Sequence, residues 1–310
     1  MSDFVSPLRY HRFRPTAVLK VTGEDAFPFL QGQFTQDLRS AAAEAHVAYG
    51  LWLNQKGKVL ADSFVLRRAG CWWVISLFSA ATVIRERLEA YVIADDVVIE
   101  DETDRWAGIS VVGHGASEFI RGKLSGGLLP DGSFGADDNG FLFPGRRAKE
   151  PNGEWLYPIG TDRRLEALRA VGAAELDFTA MERLRIDAAI PAVPQDIGPS
   201  DLPNEGGLER DGISYTKGCY LGQEVMARLK TLGQVRRRLR QVAGPVPPPA
   251  DMPAVLFFEG KRVGELRSVV RTDEGFVGLA MIALLSVDEK RFLSFSSDNS
   301  GNIVITDALA

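Results

Sequence analysis

The residues Tyr215-Thr216-Lys217-Gly218-Cys219-Tyr220-Leu221-Gly222-Gln223-Glu224-Val225 bring the chain's most chemically capable side chains together in one short stretch. Cys219 lies between glycines, where the backbone can turn and a ligand can approach closely. Lys217 precedes it by two residues and Arg228 follows on a predicted helix. Nearby positive charge favours the thiolate, the form that reacts or binds metal. From the residues alone, the competing reading is a buried, inert cysteine packed beside Tyr220, because free cysteines are among the most buried residue types. Arg228, Lys230, Arg236, Arg237, Arg238 and Arg240 then follow with no acidic residue among them. Such a run suits an anion, or else forms a solvated face. The other cysteine, Cys71, is distant and reads as core. His11, His46 and His114 are isolated, with no spacing that would hold zinc. A conventional iron–sulfur cluster takes about four thiolates, so a chain with two cysteines serves clusters only on other proteins.

Lys217-Gly218-Cys219-Tyr220-x-Gly222-Gln223-Glu224 resembles the signature of the YgfZ family. These are tetrahydrofolate-binding relatives of the glycine-cleavage T-protein that maintain iron–sulfur enzymes. The similarity extends through Val225-Met226-Ala227-Arg228 to Gly233 and the arginines beyond. Upstream, Phe29-Leu30-Gln31-Gly32-Gln33-Phe34-Thr35-Gln36-Asp37 resembles the family's first motif and Asn54-Gln55-Lys56-Gly57-Lys58 its second. Arg185-Ile186-Asp187-Ala188-Ala189-Ile190-Pro191 resembles the helix before the cysteine loop. Together these motifs cover most of residues 20–240.

The resemblance implies an α+β, T-protein-like fold of three domains. The first is discontinuous and folate-binding, from 1–48 and 180–243. The second is a ferredoxin-like α/β plait over 49–179, and the third is a C-terminal β-barrel over 244–310. A cavity for tetrahydrofolate, or a one-carbon derivative of it, would lie where the first two meet, with the cysteine loop at its rim. Cys219, Lys217 and Asp62 are the residues expected to carry chemistry; Glu205, Tyr220, Gln223, Glu224, Arg228 and Arg236 are those expected to hold the cofactor. Pro203-Asn204-Glu205-Gly206-Gly207-Leu208 resembles a T-protein segment whose glutamate faces the pterin, and a carboxylate can accept two parallel N–H bonds from an aminopyrimidinone edge. Otherwise Glu205 is an exposed loop residue. The arginines would pair with the glutamyl tail.

Two departures separate this chain from those relatives. T-proteins carry adjacent aspartates where this chain has Ala61-Asp62, and neighbours on a strand face opposite ways, so Asp62 replaces only one of them. Some YgfZ proteins place tryptophans near the folate site, roughly at Thr16 and Met181 here, and losing those faces removes stacking area. The resemblance therefore implies an accessory factor for iron–sulfur assembly or repair, with effects on tRNA modification arising indirectly. Its partners would be iron–sulfur client enzymes or assembly proteins. The alternative is a folate-dependent aminomethyl- or methyltransferase acting on a small amine. A third reading, RNA binding through the arginine run, is opposed by the net charge of −5.

The elements that must position these residues are legible as short, alternating runs. Strands are expected at 47–53, 58–67 and 71–75, joined by Asn54-Gln55-Lys56-Gly57 and Arg68-Ala69-Gly70 as a meander. Trp72 and Trp73 should then face opposite sides of the sheet. Ser79 is placed to cap a helix running to 91. Strands at 97–100, 107–112 and 155–159 alternate with helices near 116–124 and 162–171. Thr179 and Glu182 have capping-box spacing for a helix to about 189, stopped by Pro191 and Pro194. Residues 130–153 read as hairpins or a surface excursion. Gly244-Pro245-Val246-Pro247-Pro248-Pro249 reads as a stiff linker before an all-β module with turns at 259–260, 273–275 and 298–301. No apolar run approaches the roughly 20 residues that span a bilayer, and the start Met1-Ser2-Asp3-Phe4 lacks a signal-peptide pattern, so a cytoplasmic address is expected.

Overall fold

In the computed structural model, residues 8–43, 46–121, 135–137, 140–160, 163–233, 235–284, 292–298 and 301–306 are described. The N-terminal start, residues 122–124 of the expected helix, residues 130–134, 138 and 139 of the expected 130–153 excursion, and Asn299-Ser300 of the last expected turn lie outside them. The strands are β1 (Arg9–Phe13), β2 (Ala17–Thr22), β3 (Val47–Leu53), β4 (Val59–Arg68), β5 (Cys71–Ser76), β6 (Val98–Asp101), β7 (Trp106–Val112) and β8 (Gly135–Asp137). They continue with β9 (Gly140–Pro144), β10 (Asn152–Pro158), β11 (Ala174–Glu175), β12 (Arg237–Gly244), β13 (Ala254–Phe258), β14 (Lys261–Thr272), β15 (Gly275–Ala283) and β16 (Val304–Ile305). The α-helices are α1 (Ala26–Gln33), α2 (Ala81–Glu89), α3 (Ala116–Arg121), α4 (Arg163–Ala170), α5 (Phe178–Asp187), α6 (Glu209–Gly212) and α7 (Gln223–Leu232).

Three sheets organise the chain, in the orders β11-β1-β7-β10-β9-β8, β3-β4-β5-β2-β6 and β13-β14-β15-β12-β16. The expected boundaries at 48/49 and 243/244 fall inside β3 and β12, and the ladder of the second sheet joins β2 to β5 across the first of them. The third sheet curls. Isolated bridges Phe257–Ser294 and Leu293–Ile303 draw its two edges together around Leu256, Leu266, Phe276 and Ile282.

Period-2 alternation places the cores. On β5, Trp72 and Val74 face a cluster shared with α1 and α2, while Trp73 and Ile75 face the other way. There they meet Trp106, Phe141, Phe143 and Leu156 from the first sheet. The second sheet is therefore covered on both faces, and residues that leave β4 or β5 toward the first sheet enter an interface between layers. Asp62 is one of them.

Two helix starts differ from expectation, each because a carboxylate competes for the cap. The helix expected from Ser79 begins at Ala81, and its N-cap Ala80 makes no side-chain capping bond. Ser79 instead donates to Asp62 Oδ1 (2.9 Å). In α5, Asp177 rather than Thr179 is the cap, accepting from the Ala180 amide at 2.7 Å. Glu182, the other half of the expected box, is bonded by Arg185. Among the described residues, no helix is long and apolar enough to cross a membrane, and no group of His, Cys, Asp and Glu is arranged to hold a metal ion.

Candidate functional site

Three of the motifs singled out in the sequence meet at one place. The last turn of α1 leaves carbonyls that no later helical amide reaches, and the cysteine loop supplies the donors. The Lys217 ammonium donates to the carbonyls of Gln31 (2.6 Å), Phe34 (2.7 Å) and Gln36 (3.0 Å). The Leu221 amide donates to Gly32 O at 3.2 Å. A cation at a helix C-terminus also complements the dipole. Thr35 adds a second tie, donating to Gly212 O (2.6 Å) while accepting from the Leu51 amide (2.7 Å). The second motif closes the other side. Gly57 has φ +70°, and a Cβ there would lie 2.9 Å from Val225 of α7. Gly222, the N-cap of α7 with φ +86°, has the same constraint against Asn54 O at 3.0 Å. Only glycine fits both positions, because each combines a left-handed backbone with close approach.

On this platform Cys219 is exposed and free of any disulfide. Tyr220, next to it, is buried with its hydroxyl unpartnered, and the Lys217 ammonium lies 5.3 Å from its ring centroid. Burial raises the Tyr220 pKa and pulls that of Lys217 down to about 8. The lysine therefore keeps its proton near neutrality, and its charge is directed into the three carbonyls. Gln223 is half-buried at the start of α7, while Glu224, Arg228 and Arg236 are exposed.

Asp62 lines a narrow cavity with Tyr49, Phe64, Ser76, Phe78, Arg146 and Pro191, and Cys219 is not among its lining residues. Its Oδ1 accepts from Ser79 (2.9 Å) and Ser76 (3.1 Å), and its Oδ2 from the Tyr49 hydroxyl (3.0 Å). Burial raises its pKa, against those hydrogen bonds and the charge of Arg146. A carboxyl that binds its proton more tightly folded than unfolded contributes stability below the unfolded carboxylate range and loses it as pH rises through the folded value. Asp62→Asn, which keeps the shape without the charge, should therefore gain stability relative to wild type as pH rises from about 4 to 7. Denaturant melts across that range check this, and a difference that does not change with pH contradicts it.

Glu205 is not in that cavity. It is buried, accepts from the Leu202 amide (2.7 Å), and is bonded at both oxygens by Arg237 (3.0 and 3.1 Å). Arg237 also reaches Asp201, which Arg267 of β14 bonds at 2.6 Å. Glu205 thus belongs to an ion network that clasps the 196–205 segment to the C-terminal sheet. Thr16 donates to Ser79 O, and Met181 is buried against Val112 and Ala148. Sequence reasoning missed Tyr49, Ser76, Arg146 and Asp211, and within the arginine run it singled out Arg236 rather than Arg237. Tyr49 was findable, since it lies on the strand paired with β4, two residues from Leu51, the partner of Asp62. Arg146 gave no signal, lying in the stretch read as a surface excursion.

A model of the GCVT N-terminal domain matches residues 15–126. The solved glycine cleavage system aminomethyltransferase T of Bartonella henselae superposes with a TM-score of 0.78 over 98% of this chain and 86% of its own, at 18% identity. The chain therefore has the T-protein-like fold. The mitochondrial iron–sulfur cluster assembly factor IBA57 of Mus musculus is 27% identical over 286 residues, 86% of this chain and 75% of that protein. The tRNA-modifying protein YgfZ of Edwardsiella ictaluri is 31% identical over 295 residues, 91% of this chain and 86% of that protein. With that identity along nearly its whole length, the chain belongs to the YgfZ family.

Proposed function

We propose that this chain binds a reduced folate in the Asp62 cavity and, through Cys219, supports iron–sulfur cluster assembly or repair on other proteins in the cytoplasm. Effects on tRNA modification then arise through a cluster-dependent modifying enzyme. The observation that carries this reading is an exposed thiol on a loop that two separate motifs hold in place. A cysteine needed only for packing would be buried. The names of the similar proteins, one a tRNA-modifying protein and one an iron–sulfur assembly factor, point the same way.

The cavity's chemistry suits a pterin. Asp62 and the Tyr49 hydroxyl offer hydrogen-bonding partners for its N–H and carbonyl groups, and Tyr49 and Phe64 offer aromatic faces. A bound folate would supply a one-carbon carrier; the protein's own part is to orient it and hold a proton at Asp62. Exposed Arg228 and Arg236 are candidates for the glutamyl tail. Glu205, already bonded by Arg237 and Leu202, would join only through the acceptor position left on Oε1. Titrating 5-formyltetrahydrofolate while following tryptophan fluorescence tests this, since Trp73 and Trp106 pack in the cluster that contains Phe64. Saturable quenching is expected for wild type and binding at least about 10-fold weaker for Asp62→Ala. A flat trace for wild type and for Arg146→Ala, which empties the cavity mouth, rejects the folate reading.

A second reading is a folate-dependent aminomethyl- or methyltransferase. It is favoured by Asp62, a carboxyl that burial makes hold its proton more tightly and that Tyr49, Ser76 and Ser79 fix in place, as a proton-exchanging group requires. Purified protein with tetrahydrofolate and small amines would then form a one-carbon folate, and its failure across amines would leave the accessory role.

A further inference from the structure

The cavity at Asp62 is filled by a residue of the chain itself. Arg146, just beyond β9, lays its guanidinium over Tyr49, with the central carbon 3.8 Å from the ring centroid. Its Nη2 lies 2.9 Å from Asp211 Oδ2, and it faces Asp62 across the same cavity. The space remaining admits about 10 Å³, roughly one water. Pockets for ligands of folate's size run to about 300 Å³ or more.

A guanidinium and a 2-aminopyrimidin-4-one edge share their recognition chemistry. Each is a planar N–C–N unit that donates N–H bonds to a carboxylate and stacks on an aromatic face. We propose that Arg146 is a built-in surrogate for the ligand, occupying the Tyr49 face that a planar, guanidine-like heterocycle takes when it binds, so that the arginine must leave first. The inference rests on the folate reading above. The arginine has a way out, because its side chain remains 20% exposed at the cavity mouth.

Its departure has a consequence for the thiol. Asp211 opens the segment that leads to Cys219: its carbonyl accepts from Gln36, and the next carbonyl, Gly212 O, accepts from Thr35. The carboxylate that holds Arg146 over the pocket thus belongs to a residue whose backbone is tied to the first motif at the root of the cysteine loop. Occupying the pocket frees the Asp211 carboxylate at that root while its backbone bonds stay in place, so ligand binding is felt at the segment that leads to the loop.

A closed state lowers apparent affinity by the fraction of molecules that are open. Removing the surrogate should thus tighten binding. Calorimetric titration of the full chain with 5-formyltetrahydrofolate should show about 10-fold tighter binding by Arg146→Ala than by wild type. Asp211→Asn, a change at an exposed residue, should tighten it about 3-fold by weakening the anchor. Equal or weaker binding by Arg146→Ala, with wild type binding, overturns the surrogate and leaves the folate reading intact. Binding by Arg146→Ala alone supports both. No binding by wild type or either variant overturns both. Should Arg146→Ala fail to fold, Asp211→Asn decides, and an unchanged affinity overturns the proposal.

Discussion

Replacing Lys217 with methionine should destabilise the protein by about 3 kcal/mol or more, although the mutation leaves Cys219 and the Asp62 cavity untouched. Methionine fills similar volume but donates nothing. The carbonyls of Gln31, Phe34 and Gln36 would lose their bonds together. A buried acceptor left unsatisfied costs about 1–3 kcal/mol, and these bonds are charge-assisted. The loss falls where α1 ends and the cysteine loop begins, so the variant should also expose that loop to protease before global unfolding. Urea denaturation with limited proteolysis measures both effects. A change below about 1 kcal/mol would mean that the lysine does not hold the loop on α1.

A second large effect is expected at Arg185, in the motif before the cysteine loop. Its guanidinium donates to Asp196 Oδ2 (2.7 Å), Ile190 O (2.7 Å), Ser268 Oγ (3.0 Å) and Glu182 (2.7 Å). The side chains of Arg185 and Asp196 are 1% and 0% exposed. Arg185→Met leaves the Asp196 carboxylate buried without its partner, a change that costs about 3–5 kcal/mol. Because Ser268 lies on β14, the same change should loosen the C-terminal sheet from α5. Arg183→Ala, two residues away on α5, is the control. Its pair with Asp187 is 41% and 48% exposed, and its loss should cost about 0.5 kcal/mol or less. Equal effects of the two substitutions in denaturant melts would contradict the distinction between a buried clasp and a surface pair.

Local pattern made much of this molecule readable. The meander from Val47 to Ser76 follows from alternation and two glycine turns, and Trp72 and Trp73 face opposite clusters as the period of two requires. The cysteine motif, the first motif and the Asn54–Lys58 turn were each visible as strings. Their meeting was not. Lys217 and Gln31 are 186 positions apart, and only the folded backbone brings an ammonium to the end of α1. The same limit hid the carboxylate network. Arg237 rather than Arg236 pairs with Glu205, and neighbouring arginines at the start of a strand are indistinguishable until the strand's bounds and register fix which side each faces. Ser79 misled for a related reason: its position fits a helix cap, but the buried Asp62 on β4 takes its hydroxyl. β1 and its two-residue parallel partner β11 carried no signal, being short and joined across 165 positions.

The claim on which the functional reading turns is that the exposed Cys219 sulfur acts, rather than merely packs. Complementation measures this directly. In cells lacking the protein, the activity of cluster-dependent enzymes, including the one that methylthiolates tRNA, is followed after restoring wild type or Cys219→Ala at matched levels. An exposed side chain contributes little to the core, so Cys219→Ala should fold with stability within about 0.5 kcal/mol of wild type. It is predicted to leave those activities at the level of the deletion. Full restoration by Cys219→Ala would contradict the account.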